Sequence, residues 1–219
     1  MPCKFVPFHG GRLTIARTLS KIIENPSSAI GKLTEGLMDL VMWVPTSAEV
    51  VADDPHACSL ELLHKASKKA AGISGAAALV PGPLGMLTLI PDLLAIWSVQ
   101  AQLVADIAAI HGKSETLSKE QMIWCLFKHS MAHLGRDLVV LAGERFIVRR
   151  QTVQFIQMVV GKLGVKIAQR LLGKTMARYL PVFGAAAVAR YAYVDTKQVG
   201  HTAMMLFSKE VIIQEVGEA

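Results

Sequence analysis

The stretch AAGISGAAALVPGPLGMLTLIP, residues 70–91, carries no charged side chain over 22 positions, the length a bilayer-spanning helix needs. Pro81, Gly82, Pro83 and Gly85 interrupt its middle. A proline inside a helix removes a backbone donor and clashes with the preceding turn, at a cost of about 3 kcal/mol. The stretch therefore predicts two helices meeting at a tight apolar corner rather than one transmembrane span.

Downstream, a helix is expected from Asp92 to Ile110, with Asp92, Ser98, Gln102 and Asp106 on one arc and Leu94, Ile96, Trp97, Leu103, Val104 and Ile107 over much of the remainder. His111-Gly112 closes it, and Ser118 with Gln121 forms a capping-box pattern for a helix running to about Glu144. Pro181 and Gly184 mark a second apolar corner before a final helix ending near Ile213 and a frayed tail over 214–219. Upstream, amphipathic stretches run over 12–24 and 30–44. Thr46 with Glu49 offers a capping box, and Asp53-Asp54-Pro55 reads as a turn that restarts a helix over 58–71. Aromatic residues are 6% of the chain and alternating β-branched runs are scarce, so the expected fold class is all-α. The expected form is a single compact multi-helix bundle over residues 1–219 with two Pro/Gly corners, residues 1–11 being flexible.

Composition narrows the function class. Of 219 residues, 52% are apolar and 18% charged, which excludes a disordered or low-complexity scaffold. A mean hydropathy of +0.41, a net charge of +6 and a pI near 9.3 point to a surface-active protein attracted to polyanions. Cys3, Cys58 and Cys125 share no CxxC spacing, so neither a disulfide framework nor a thiolate zinc site is expected, and a reducing cytosol fits. The amino terminus has no unbroken apolar core of a leader, and Pro2 stands where N-myristoylation needs glycine.

The charge is unevenly spread. Residues 1–112 hold 8 Lys+Arg against 9 Asp+Glu, whereas residues 113–219 hold 15 against 8. Between Glu144 and Asp195 stand nine basic residues and no acid: Arg145, Arg149, Arg150, Lys162, Lys166, Arg170, Lys174, Arg178 and Arg190. Lys162, Lys166, Arg170, Lys174 and Arg178 recur at every fourth position, about 40° apart on a helix, with Val165, Ala168, Leu172, Met176 and Tyr179 on the opposite arc. That is the pattern of a basic amphipathic helix that lies on anionic lipid or docks an acidic partner. Each such charge near an anionic surface contributes about 1 kcal/mol. An ordinary solvated face, with its compensating acids elsewhere in the fold, produces the same pattern.

Two stretches resemble the EcsC-type family, bacterial proteins named for association with an ABC transporter operon. The first is Gly75 to Gly112, with its Gly/Ala segment, Pro-Gly corner, Pro91-Asp92-Leu93-Leu94, Gln102, and Asp106-Ile107-Ala108-Ala109-Ile110-His111-Gly112. The second is Arg178-Tyr179-Leu180-Pro181-Val182-Phe183-Gly184-Ala185, followed by Gly200 and Ala203. The similarity spans about 70–207. His111 stands where the family pattern has Tyr, and Ala192 where it has Asn. The resemblance implies a helical, membrane-associated accessory protein with no catalytic residue and no established activity. Apolar domains of some membrane-acting GTPases are arranged similarly, but no GxxxxGK[ST] loop is present here.

Side chains that suit catalysis are sparse. Glu61-x-x-His64 has di-iron spacing, and His129 and His133 sit one turn apart, so these four are the candidates for a metal-dependent helical-bundle enzyme. A ferritin-like site needs two Glu-x-x-His motifs and two further glutamates, and one motif is present. Asp92 and Asp106, about 21 Å apart along a straight helix, are too distant for a catalytic pair. Asp92 suits the helix amino terminus, Asp106 and Gln102 suit hydrogen bonds to a neighbouring helix, and Cys125 reads as core. The sequence thus implies no cofactor. It predicts a non-catalytic cytoplasmic protein, peripheral to the inner face of the membrane, that binds anionic lipid or an acidic membrane protein through Lys162, Lys166, Arg170, Lys174 and Arg178, with Arg149 and Arg150. Nucleic acid ranks last, with only Tyr179 and Tyr191 available for base stacking in the basic segment, and homo-oligomerisation stays open.

Overall fold

The computed structural model of the protein describes residues 26–78, 89–129, 138–142, 145–173 and 181–215. The chain order is α1 (Pro26–Met42), α2 (Pro55–Ala78), α3 (Leu89–Ile110), α4 (Lys119–Phe127), β1 (Val139–Ala142), β2 (Arg145–Arg150), α5 (Val153–Gly173), α6 (Pro181–Phe207) and β3 (Glu210–Glu215). The fold is mostly helical, with one small sheet among the described residues. The Pro81–Gly85 corner and the amphipathic stretch over 12–24 lie outside them.

Local signals set most helix ends. Asp54 Oδ1 accepts from the Ala57 amide at 3.0 Å and Pro55 fills the first helical position of α2. α3 ends with Gly112 at φ +69°, the Gly112 amide on Ala109 O and the Lys113 amide on Ala108 O, which together make a Schellman motif. Ser118 and Gln121 close the expected capping box on α4. Thr46 and Glu49 do not: residues 44–52 form an extended connector with no helix, and Ser47 Oγ takes the Glu49 amide at 3.1 Å. Its residues are spent on α3 instead.

The sheet is the departure from an all-helical layout. The helix expected to reach Glu144 stops at Phe127, and the one expected to reach Ile213 stops at Phe207. β1 pairs antiparallel with β2 (Ala142 opposite Arg145), and β3 lies parallel on the other side of β2 (Arg145 opposite Glu210, Arg150 opposite Glu215). Gln214 and Glu215, expected in a frayed tail, are the last residues of β3. β2 alternates inward Phe146 and Val148 with outward Arg145 and Arg149, a period of two that seats Phe146 on Trp124 at 5.5 Å between ring centroids.

Four helices stand in a row, fixed by three close approaches. A Cβ at Gly164 of α5 would meet Thr34 Oγ1 of α1 at 2.6 Å, one at Gly36 of α1 would meet Leu94 Cδ1 of α3 at 2.7 Å, and one at Gly200 of α6 would meet Leu103 Cδ2 of α3 at 3.1 Å. Thr34 and Gly36 are about 200° apart on α1, and Leu94 and Leu103 about 180° apart on α3, so each middle helix is flanked on opposite sides. The order is α5, α1, α3, α6, with α2 packed along α6 and α3. α3 is central. Its segment Pro91–Ile110 is long and apolar enough to cross a membrane, but 67% of it is buried against the other elements, with Val104, Ile107 and Ile110 fully enclosed.

Candidate anion-binding surface

α5 begins where Thr152 Oγ1 accepts the Phe155 amide at 3.3 Å. Ile156, Val159, Val160 and Leu163 recur at three and four residues and are buried. The arc left facing outward holds Met158 and Val165, each 44% exposed, around the exposed Lys162. Val165 was expected opposite the basic stripe, on the arc that enters the core. It does not enter, because packing against α1 selects the Ile156–Leu163 arc, and Val165 ends about 60° from Lys162. The helix backbone carries Lys166 and Arg170, whose side chains lie outside the described residues, as do Lys174 and Arg178 entirely.

Arg149 and Arg150 stand exposed on β2, which leads directly into α5. Part of the basic run is compensated from the far end of the chain. Arg145 Nε meets Glu210 Oε2 at 2.8 Å, and the parallel register sets Arg150 beside Glu215 and Arg149 beside the neutral Gln214. The absence of acids between residues 144 and 195 did not disclose this, since Glu210 arrives on β3.

The residues proposed for a metal are engaged or apart. Glu61 is ion-paired with Lys65 at 2.5 Å, and His64 Nδ1 lies 3.4 Å from the Tyr193 hydroxyl with the rings edge-on. Burial lowers the pKa of His129, against the attraction of Asp195. Among the described residues no three His, Cys, Asp or Glu side chains gather as metal ligands do, so Glu61, His64 and His129 do not share a site. His133 lies outside those residues.

Asp106 is 7% exposed and accepts from Ser47 Oγ at 2.7 Å and Gln102 Nε2 at 2.8 Å, while Gln102 Nε2 also donates to Thr46 O at 3.1 Å. Burial pushes its carboxyl pKa up, the two hydrogen bonds opposing. Glu49 is raised too, by burial first and then by the Asp106 charge. The partner of this group is the 44–52 connector rather than a neighbouring helix, so its role is to clasp that connector to α3. A second buried set escaped sequence reasoning. Gln100 donates to Asp195 Oδ2 at 2.8 Å and Thr196 Oγ1 at 3.1 Å, joining α3 to α6. Its signal was a lone glutamine and aspartate on apolar helices.

Cys125 is free and fully buried, and burial raises its thiol pKa, which removes it as a nucleophile. Cys58, expected to be reduced, is disulfide-bonded, so the thiols give no support to a reducing compartment. Ala192, where the resemblance leads one to expect Asn, is buried against Ala70 and Ile96.

A sequence model of the EcsC protein family matches residues 15–211, nine-tenths of the chain. No curated protein and no solved structure matches it at a significant level.

Proposed function

The chain belongs to the EcsC protein family, and on that premise we propose that it is a non-catalytic accessory protein that binds the surface of an anionic bilayer. The contact is the outer arc of α5 together with Arg149 of the adjoining strand. One observation carries this reading: Met158 and Val165, each 44% exposed, bracket the exposed Lys162 in a stretch with no acid from residue 145 to 194. Exposed apolar side chains occur elsewhere on the surface too, as at Val50 and Val51, but here they stand beside a cation in an acid-free stretch, and a phosphate backbone gains little from them. A lipid interface gains from both parts, since apolar side chains enter the headgroup boundary while cations meet its charge.

Flotation tests the reading. Wild type is expected to float with vesicles containing 30% phosphatidylglycerol and to stay behind with pure phosphatidylcholine. Reversing Arg149 and Lys162 together (Arg149→Glu, Lys162→Glu) removes about 2 kcal/mol of attraction and adds repulsion, so recovery should fall at least ten-fold. Equal recovery of the double variant, or flotation indifferent to lipid charge, refutes it.

A further inference from the structure

We infer that the protein has a second lipid-binding face, the outer side of α6, and that with the α5 face it bridges two anionic bilayers. This rests on the membrane-binding reading above and extends it to a different surface. α6 meets α3 through Ala192, Thr196 and Gly200. On its far side lie Tyr191, Val194 and Met205, exposed by 64%, 43% and 37%. Arg190, Lys197 and His201 are exposed along the same outer side.

The charge of this face has one sign. Asp195 is the single acid in α6, and it is held by Gln100 from α3 rather than turned to solvent. On α2, which runs antiparallel alongside with Gly75 at Ala189 and Leu63 at Gly200, Glu61 is already paired with Lys65. Lys68, one turn beyond the His64 that meets Tyr193, is exposed and adds to the cations. Apolar side chains interleaved with Arg190, Lys197, His201 and Lys68 suit an anionic lipid interface, where the first enter the headgroup boundary and the second meet its charge.

The direction of the two faces turns binding into bridging. α5 and α6 are the outermost members of the row α5, α1, α3, α6, and each buries the side that faces the row. Their outer arcs therefore look away from each other, with the outer helix axes about 24–30 Å apart at 8–10 Å per packing step. One bilayer cannot satisfy both.

The test mixes donor- and acceptor-labelled vesicles of 30% phosphatidylglycerol and reads clustering by energy transfer, with flotation in parallel. Wild type is expected to cluster them, with clustering falling again at high protein-to-lipid ratio as every vesicle becomes coated. Arg190→Glu with Lys197→Glu should cut clustering at least five-fold while the protein still floats through α5. Flotation without clustering by wild type, or clustering unchanged in that double variant, overturns the second face. Failure of wild type to float at all would instead overturn the membrane reading itself.

Discussion

Replacing Gly200 by Ala tests the row of helices where α6 is seated. A Cβ there would stand 2.6 Å from Leu63 Cδ1, 3.0 Å from Leu63 Cγ and 3.1 Å from Leu103 Cδ2. Carbon atoms in contact prefer about 3.5–4.0 Å, so Leu63 would have to retreat by about 1 Å. Leu63 and Leu103 are each 2% exposed, so neither has solvent to move into. Overpacking of this kind costs about 1–3 kcal/mol, while Ala gains about 1 kcal/mol over Gly in a helix interior. The net expectation is a loss of up to about 2 kcal/mol. Gly72→Ala on α2 is the control, because a Cβ there meets nothing within 4 Å and only the gain of about 0.5–1 kcal/mol applies. The propensity and unfolded-chain terms are common to both variants and cancel in their difference. What remains is the packing cost of about 1–3 kcal/mol, which at about 2 kcal/mol per molar of urea separates the two midpoints by about 0.5–1.5 M. Coincident midpoints, or Gly200→Ala the more stable, would refute the close seating of α6 on α2 and α3.

Three further outcomes follow from individual contacts. Ser118→Ala removes the side chain that accepts the Gln121 amide and should cost about 1 kcal/mol in urea unfolding; no loss would mean that α4 is not held by its cap. Burial raises the Asp106 pKa, so the native state binds that proton more tightly than the unfolded chain. This contribution is complete below the ordinary carboxylate pKa near 4 and is lost as pH rises through the raised value. Asp106→Asn should therefore gain stability relative to the parent between pH 4 and 7.5, and a gap that ignores pH would contradict the buried carboxyl. Glu210→Gln releases Arg145 from an ion pair exposed on both sides, so stability should move by less than about 0.5 kcal/mol while partition onto anionic vesicles rises by up to about five-fold. Unchanged partition would show that Arg145 does not reach the lipid.

The helix ends were legible wherever the deciding groups are neighbours in the chain. Asp54-Pro55, Gly112 and Ser118 with Gln121 each satisfy orphan backbone groups within one turn, so their spacing is enough. Thr46 with Glu49 has the same spacing and makes no helix, because a connector tied to Asp106 and Gln102 of α3 is the stronger use of those residues. The sheet was legible only in part. Val139-Val140, Phe146-Ile147-Val148 and Val211-Ile212-Ile213 carry β-branched and aromatic side chains, but each run is short. β3 finds its partner some sixty residues away, which periodicity within one segment does not report.

By itself the sequence determined a mostly helical, cationic, strongly apolar chain with helix ends marked at Asp54-Pro55, Gly112 and Ser118, because propensity, capping and net charge are local or additive quantities. Which arc of α5 enters the core, which arginine is neutralised by Glu210, and the outward stripe of α6 were decided by tertiary structure alone. Each depends on which helix lies against which, and the burial of Ile156, Val160 and Leu163 in place of Val165 is settled by contact with α1, a partner more than one hundred residues earlier.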